Sequence, residues 1–320
     1  MIVPYSVVIP VYNEAEVLPA LYRRLTNVME GLGKPYEIVF VNDGSVDDSP
    51  KVLAEFRAQD SRVRVVSLSR NFGHQIAITA GLDHSSGQAV VVMDADLQDP
   101  PEIIPQLIAQ WKVGYDIVFT VRESRRRESV FKRTTAALFY RLLQRLTATD
   151  IPLDAGDFRL MSRRAVEALK PIRERNRFVR GLVGWIGFRH TCVRFVRDAR
   201  QAGETKYPLR KMIRFALNGL ISFSFVPLQL ATYLGFAVSL FSFLYIAYAI
   251  ELKLFTDRAV QGWASIMVAM LFIGGVQLIS LGIMGEYIGR IYDEVKQRPL
   301  YVIDELAGFD KAGVEEPQTT

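Results

Sequence analysis

The sequence predicts an α/β protein: a mostly parallel sheet domain followed by two membrane-spanning helices. Three observations lead there. Short β-branched runs alternate with amphipathic stretches over residues 5–120. Two long C-terminal stretches, Phe215 to Ile250 and Ala259 to Gly285, carry no charged residue. Basic residues flank those stretches on their outer sides.

The strand-like runs are Tyr5–Ile9, Glu37–Val41, Val63–Leu68, Ala89–Met93 and Asp116–Val121. Helical periodicity lies between them, over Glu16–Gly31, Asp48–Gln59, His74–Asp83 and Glu102–Trp111. That rhythm gives βαβ units and a sheet buried on both faces. Ligands of such sheets bind beyond the carboxyl ends of the strands. Those positions hold Pro10-Val11-Tyr12-Asn13-Glu14, Asn42-Asp43-Gly44-Ser45, Arg70-Asn71-Phe72-Gly73-His74, Asp94-Ala95-Asp96-Leu97-Gln98 and Arg122.

Residues 129–147 and 207–222 read as basic amphipathic helices. Their spacing fits a surface helix on the core or a helix lying in a membrane interface. Each charge-free run exceeds the ~20 residues that a spanning helix needs. The linker Glu251–Arg258 is mixed in charge, whereas Arg210, Lys211 and Arg214 precede the first run and Arg290, Lys296 and Arg298 follow the second. The positive-inside rule puts both flanks in the cytoplasm. The N-terminus lacks the basic n-region of a signal peptide. The expected plan is a cytosolic domain over 1–206, a juxtamembrane helix over 207–222, spans over 223–250 and 259–288, and a cytosolic tail over 289–320. The tail is expected to lose order beyond about Gly308.

Composition narrows the function classes. The chain has 320 residues, 50% of them hydrophobic and 23% charged. That excludes a disordered chain, and the lone Cys192 excludes a disulfide scaffold. The net charge of +5 comes with no nucleic-acid-binding motif. Arg122, Arg125, Arg126, Arg127, Arg173, Arg175, Arg177 and Arg180 suit an anionic leaflet or solvated surface instead.

Asp94 and Asp96 carry the clearest chemistry. In extended backbone, positions i and i+2 face the same way, and two carboxylates on one face call for a cation. Mg²⁺ or Mn²⁺ takes such oxygen ligands, and Gln98 adds an amide oxygen. A helix start at Asp99-Pro100-Pro101-Glu102 is the plainer alternative. Asp43 fits either turn chemistry or a bond to a base or ribose. Tyr12 suits stacking on a base, and Glu14 suits ribose hydroxyls. Neither a P-loop nor a dinucleotide fingerprint is present.

Val8-Ile9-Pro10-Val11-Tyr12-Asn13-Glu14, Val41-Asn42-Asp43-Gly44-Ser45 and Asp94-Ala95-Asp96-Leu97-Gln98-Asp99-Pro100-Pro101 resemble the motifs of family 2 GT-A glycosyltransferases. With Asp154-Ala155-Gly156-Asp157-Phe158-Arg159-Leu160, Gly203-Glu204-Thr205-Lys206-Tyr207 and the two spans, the chain looks most like the polyprenyl-phosphate branch. That branch includes dolichyl-phosphate mannose synthases and bactoprenol (undecaprenyl-phosphate) glucosyltransferases. The resemblance implies a Rossmann-like GT-A domain with interfacial helices and a membrane hairpin. It implies inverting, metal-dependent sugar transfer to a lipid phosphate, with UDP-glucose the favoured donor and GDP-mannose or a UDP-aminosugar as alternatives. Pro10, Tyr12, Glu14 and Asp43 would hold the nucleoside, and Asp94 and Ala95 the ribose and first phosphate. Asp96, Gln98 and Asp94 would serve the Mg²⁺ or Mn²⁺ ion. Arg122, Arg200 and Lys206 would meet the phosphates, with Lys132 or Arg133 facing the lipid phosphate. Asp157 is the candidate catalytic acid, as a base or as an orienting group; a helix cap before Phe158–Leu169 is its local alternative.

Other readings stay open. A processive polysaccharide synthase would need a Gln-x-x-Arg-Trp segment, which Arg180-Gly181-Leu182-Val183-Gly184-Trp185 does not supply. A nucleotidyltransferase would want a Gly-rich basic loop after the first strand. A non-catalytic membrane scaffold is the alternative outside enzymes. Gly274-Gly275 and Gly282-x-x-Gly285 suit close helix approach, either between the spans or in a homo-oligomer such as a tetramer.

Overall fold

The computed structural model describes residues 3–122, 155–175, 177–195, 226–255 and 262–309. They fall into two compact units: a sheet domain that includes residues 298–309, and the helices between residues 226 and 297.

The sheet domain starts with β1 (Tyr5–Val11), α1 (Leu18–Gly31), β2 (Tyr36–Asn42), α2 (Ser49–Gln59), β3 (Val63–Leu68), α3 (His74–His84) and β4 (Ala89–Val92). A 3-10 turn at Pro101–Ile103 then leads into α4 (Ile104–Lys112) and β5 (Ile117–Arg122). Prolines in the first turns of α1, α2 and α4 mark their starts, where a missing N–H costs nothing. β6 (Ala155–Ser162), α5 (Arg163–Leu169), α6 (Val179–Trp185), β7 (His190–Phe195) and β8 (Ile303–Ala307) complete it.

The eight strands run in the order β7-β5-β6-β4-β1-β2-β3-β8. β1 pairs in parallel with β2 and β4, β2 with β3, and β5 with β7. β6 and β8 are antiparallel to their neighbours. Alternation along the strands splits the core in two. Val7 and Ile9 face α1, α2 and α4; Val8, Val39 and Val41 face α3, α5 and α6.

Two features depart from the expected plan. The segment expected as a tail contains β8, an edge strand whose Leu306 pairs with Val66. Tyr301 Oη donates to Asp83 Oδ2 at 2.8 Å, which fastens this segment to α3. Arginines expected to face lipid are also used inside the domain. Arg173 pairs with Asp83 at 2.6 Å, while Arg175 and Arg177 donate to the carbonyls of Arg298 and Ile172.

The second unit holds α7 (Val226–Phe255) and α8 (Trp263–Val295). Among the described residues one stretch, Phe272–Val295, is long and apolar enough to cross a membrane, and Ala231–Tyr245 is a shorter apolar stretch. Phe236, Phe241, Phe243, Met270 and Leu278 are exposed. Apolar surface of this kind marks a membrane or protein contact. A Cβ built at Gly274, Gly275, Gly282 or Gly285 would meet nothing within 4 Å among the described residues.

Candidate active site

The loops after β1 and β2 are tied together by side chains. Asn13 sits in the left-handed region (φ 56°). Its N–H donates to Ser45 Oγ at 3.1 Å, and its Oδ1 accepts from Val46 N–H at 2.9 Å. Ala15 N–H donates to Asp47 Oδ2, and Glu14 N–H to Ser49 Oγ. The tie leaves the Tyr12 ring outside, 47% exposed, while Pro10 is buried within β1.

Gly44 (φ +64) lets this loop press on the next one. A Cβ there would lie 2.5 Å from the Arg70 carbonyl carbon. Gly44→Ala is therefore expected to cost about 1–3 kcal/mol in left-handed strain, with the clash added, and to lower the melting temperature. An unchanged melt would refute this packing.

Asp43 is buried and already engaged. Its Oδ1 accepts from Phe72 N–H at 2.7 Å and its Oδ2 from Gly73 N–H at 2.9 Å. Burial pushes its carboxyl up, against the pull of those two bonds. Asp43 thus shapes the loop after β3. Gly73 (φ +99) turns that loop into α3, with His74 as its first residue.

β4 ends at Val92, so Asp94 and Asp96 stand in a turn rather than on extended backbone. This corrects the geometric premise for the pair. Asp96 Oδ1 accepts from Gln98 N–H at 3.1 Å, and Leu97 takes φ 57°. Ala95 and Gln98 are buried beneath. Burial raises the Asp94 carboxyl, and the charges of Asp157 and Asp96 raise it further; His74 and Arg180 oppose this.

Asp157 lies inside β6, not at a helix cap. Ser162 caps α5 instead, accepting from Ala165 N–H. β6 is irregular around it: Val121 pairs with Ala155 and Phe119 with Arg159, so four steps on β6 match two on β5. Such bulges re-aim side chains beside functional sites. Asp157 is 5% exposed. Arg180 Nε and Nη2 grip it from α6 at 2.9 and 2.8 Å. Arg159 Nη2 lies 3.5 Å from its Oδ1, and His74 Nε2 3.5 Å from its Oδ2. His74 Nε2 is also 3.3 Å from Asp94 Oδ1. Burial alone would raise the Asp157 carboxyl. The bonds from His74 and Arg180 and the charges of Arg180 and Arg159 outweigh it, and hold it well below the usual carboxylate range.

Arg159 is fully buried, and its Nε and Nη1 have no hydrogen-bond partner among the described residues. Burial lowers its guanidinium to about 10. It supplies positive charge beneath the acids.

The structure thus gathers Asp94, Asp96, Gln98 and Asp157 where the carboxyl end of β4 meets the amino-terminal part of the antiparallel β6, with Tyr12, Glu14 and Asp43 at or after the ends of β1 and β2. Arg122 closes β5, in register with Phe195. Lys132, Arg133, Arg200, Lys206 and the amphipathic stretches 129–147 and 207–222 lie outside the described residues. Sequence reasoning missed His74, Arg159 and Arg180 as site residues. His74 follows a strand end, and Arg159 is two positions from Asp157 on one strand, so both signals were available.

Among the described residues no three His, Cys, Asp or Glu side chains gather to hold a metal. Asp94 and Asp96 still offer two carboxylates on one short turn, and the upward push on Asp94 is what a cation would relieve. That set fits a hard divalent ion whose shell is completed by phosphate oxygens and water, as is usual for Mg²⁺.

Residues 6–170 match the glycosyl transferase family 2 model, and residues 226–291 match the GtrB C-terminal hairpin. A glycosyltransferase of Bacillus subtilis, YkcC, is 52% identical over 96% of this chain and 95% of its own. The bactoprenol glucosyl transferase of Shigella phage SfII is 46% identical over 93% of this chain and 96% of its own. Glucosyl-3-phosphoglycerate synthase from Mycobacterium tuberculosis, solved with Mn²⁺ and UDP, overlaps with a TM-score of 0.47 at 22% identity, over 69% of this chain and 80% of its own.

Proposed function

This chain belongs to glycosyl transferase family 2 and is a glycosyltransferase; on that premise we propose that it transfers a hexose to a polyprenyl phosphate at a membrane surface. The donor is a nucleotide sugar, with UDP-glucose favoured, and the transfer inverts the anomeric carbon. The single observation that carries the acceptor class is the state of Asp157. It is buried, closed by Arg180 and held in its ionised form. Such a carboxylate is a poor base. A sugar-hydroxyl acceptor would need one, whereas a phosphate monoester, with a second pKa of ~6, is already anionic.

Asp157 then acts as the anchor that aims Arg180, and Arg159 balances charge below. Tyr12 offers a ring face to the base of the donor. Asp94, Asp96 and Gln98 would hold Mg²⁺ or Mn²⁺, which when bound supplies charge stabilisation for the departing diphosphate. Arg122, Arg200 and Lys206 would add basic contacts to phosphate, and Lys132 or Arg133 would face the lipid phosphate. α7 and α8, with their exposed apolar side chains, would pin the domain to the cytosolic face of the membrane.

Membranes carrying the full chain test this reading with labelled UDP-glucose, UDP-N-acetylglucosamine and GDP-mannose. UDP-glucose is expected to label an organic-extractable lipid. Label from GDP-mannose alone would overturn the donor, and no organic-phase label from any donor would overturn the acceptor class.

A further inference from the structure

We infer that His74 is a positioning residue that locks Asp94, the acid allocated to the donor and its metal, and Asp157, the acid that aims Arg180, into one unit. The inference rests on the donor and acceptor allocation proposed above. One imidazole nitrogen, Nε2, lies 3.3 Å from Asp94 Oδ1 and 3.5 Å from Asp157 Oδ2. The two acids come from different parts of the sheet, the turn after β4 and the irregular stretch of β6. Asp94 Oδ1 makes no hydrogen bond among the described residues, so the imidazole is the polar group that stands between two carboxylates which otherwise repel.

The backbone places the ring. Asp43 holds the N–H groups of Phe72 and Gly73, and Gly73 at φ +99 starts α3 directly at His74. The nucleoside-side loop is thereby connected, through Asp43 and the loop after β3, to both acids. The ring side chain is 44% exposed, so it stands at the surface where donor and acceptor would meet rather than in the core. If Asp94 ligates a cation, His74 is an outer contact that orients the ligand.

The full-length chain in detergent micelles tests this with His74→Ala and His74→Lys. Calorimetry reads binding of UDP-glucose, UDP-N-acetylglucosamine and GDP-mannose with Mn²⁺; turnover is read with polyprenyl phosphate, and thermal melting is recorded. His74→Ala is expected to weaken donor binding and to lower kcat, each by about 10–100-fold, as loss of an outer contact to a metal ligand does. His74→Lys restores a polar N–H group within reach of both acids and is expected to recover most of both losses. The inference is overturned if His74→Ala changes neither quantity, if it lowers the melting temperature alone, or if His74→Lys melts like the wild type and recovers neither. The binding measurement needs no acceptor. Absence of lipid labelling by the wild type would therefore count against the acceptor class while the His74 result still stood or fell by itself.

Discussion

Asp157→Asn is expected to reduce sugar transfer to polyprenyl phosphate by about two to three orders of magnitude, the range seen when one preorganised electrostatic contact is lost. The substitution keeps the shape and removes the charge. Arg180 then loses the carboxylate that holds its Nε and Nη2, and Arg159, fully buried, loses its nearby anion. Removing one partner of a buried pair leaves an uncompensated charge, at a cost of about 3–5 kcal/mol, so the variant should also melt earlier. The pH dependence separates an anchor from a base. Because the Asp157 carboxyl is held below the usual range, its stabilising contribution is fully present above the unfolded carboxyl pKa of about 4 and fades as pH falls below that. It should add no ionisation to the rate profile at neutral pH. A limb in kcat near neutrality that vanishes in Asp157→Asn would show a base and contradict the anchor role.

Asp94→Asn and Asp96→Asn are each expected to cut turnover by about 10²–10³-fold, and chelation of divalent ions should abolish it until Mg²⁺ or Mn²⁺ is restored. Stability should move the other way for Asp94. Its carboxyl is raised by burial and by two neighbouring acids, so its ionised form destabilises the metal-free fold at pH values above the unfolded carboxyl pKa. Asp94→Asn removes that penalty. The metal-free variant is expected to melt above the metal-free wild type while being inactive. Lower melting together with normal, chelator-resistant turnover would refute the metal allocation.

Strands β1 to β5, five of the eight, were legible because they are apolar runs separated by amphipathic helices. β6 was not, because Asp157 and Arg159 interrupt its apolar pattern and its partners β4 and β5 are supplied by distant segments. β8 was hidden for a related reason: Ile303–Ala307 carries Asp304 and Glu305 and becomes a strand only against the open edge of β3. The acids of the site were readable as residue types at strand ends. Their geometry was not. The left-handed Leu97 puts Asp96 in a turn that no period-two pattern describes. The contacts of Arg180 and His74 with Asp157 depend on how α6 and α3 pack against the same face of the sheet, which local sequence does not encode.

Inverting transfer to a lipid phosphate leaves its signature in the product. The purified full-length chain would be incubated with UDP-glucose, which carries an α-linked sugar, and undecaprenyl phosphate, and the organic-phase product examined by mass spectrometry and NMR. The expected product is an intact lipid monophosphate bearing one β-linked hexose. An α-linked hexose, a product retaining the nucleotide, or label confined to a water-soluble polymer would contradict it.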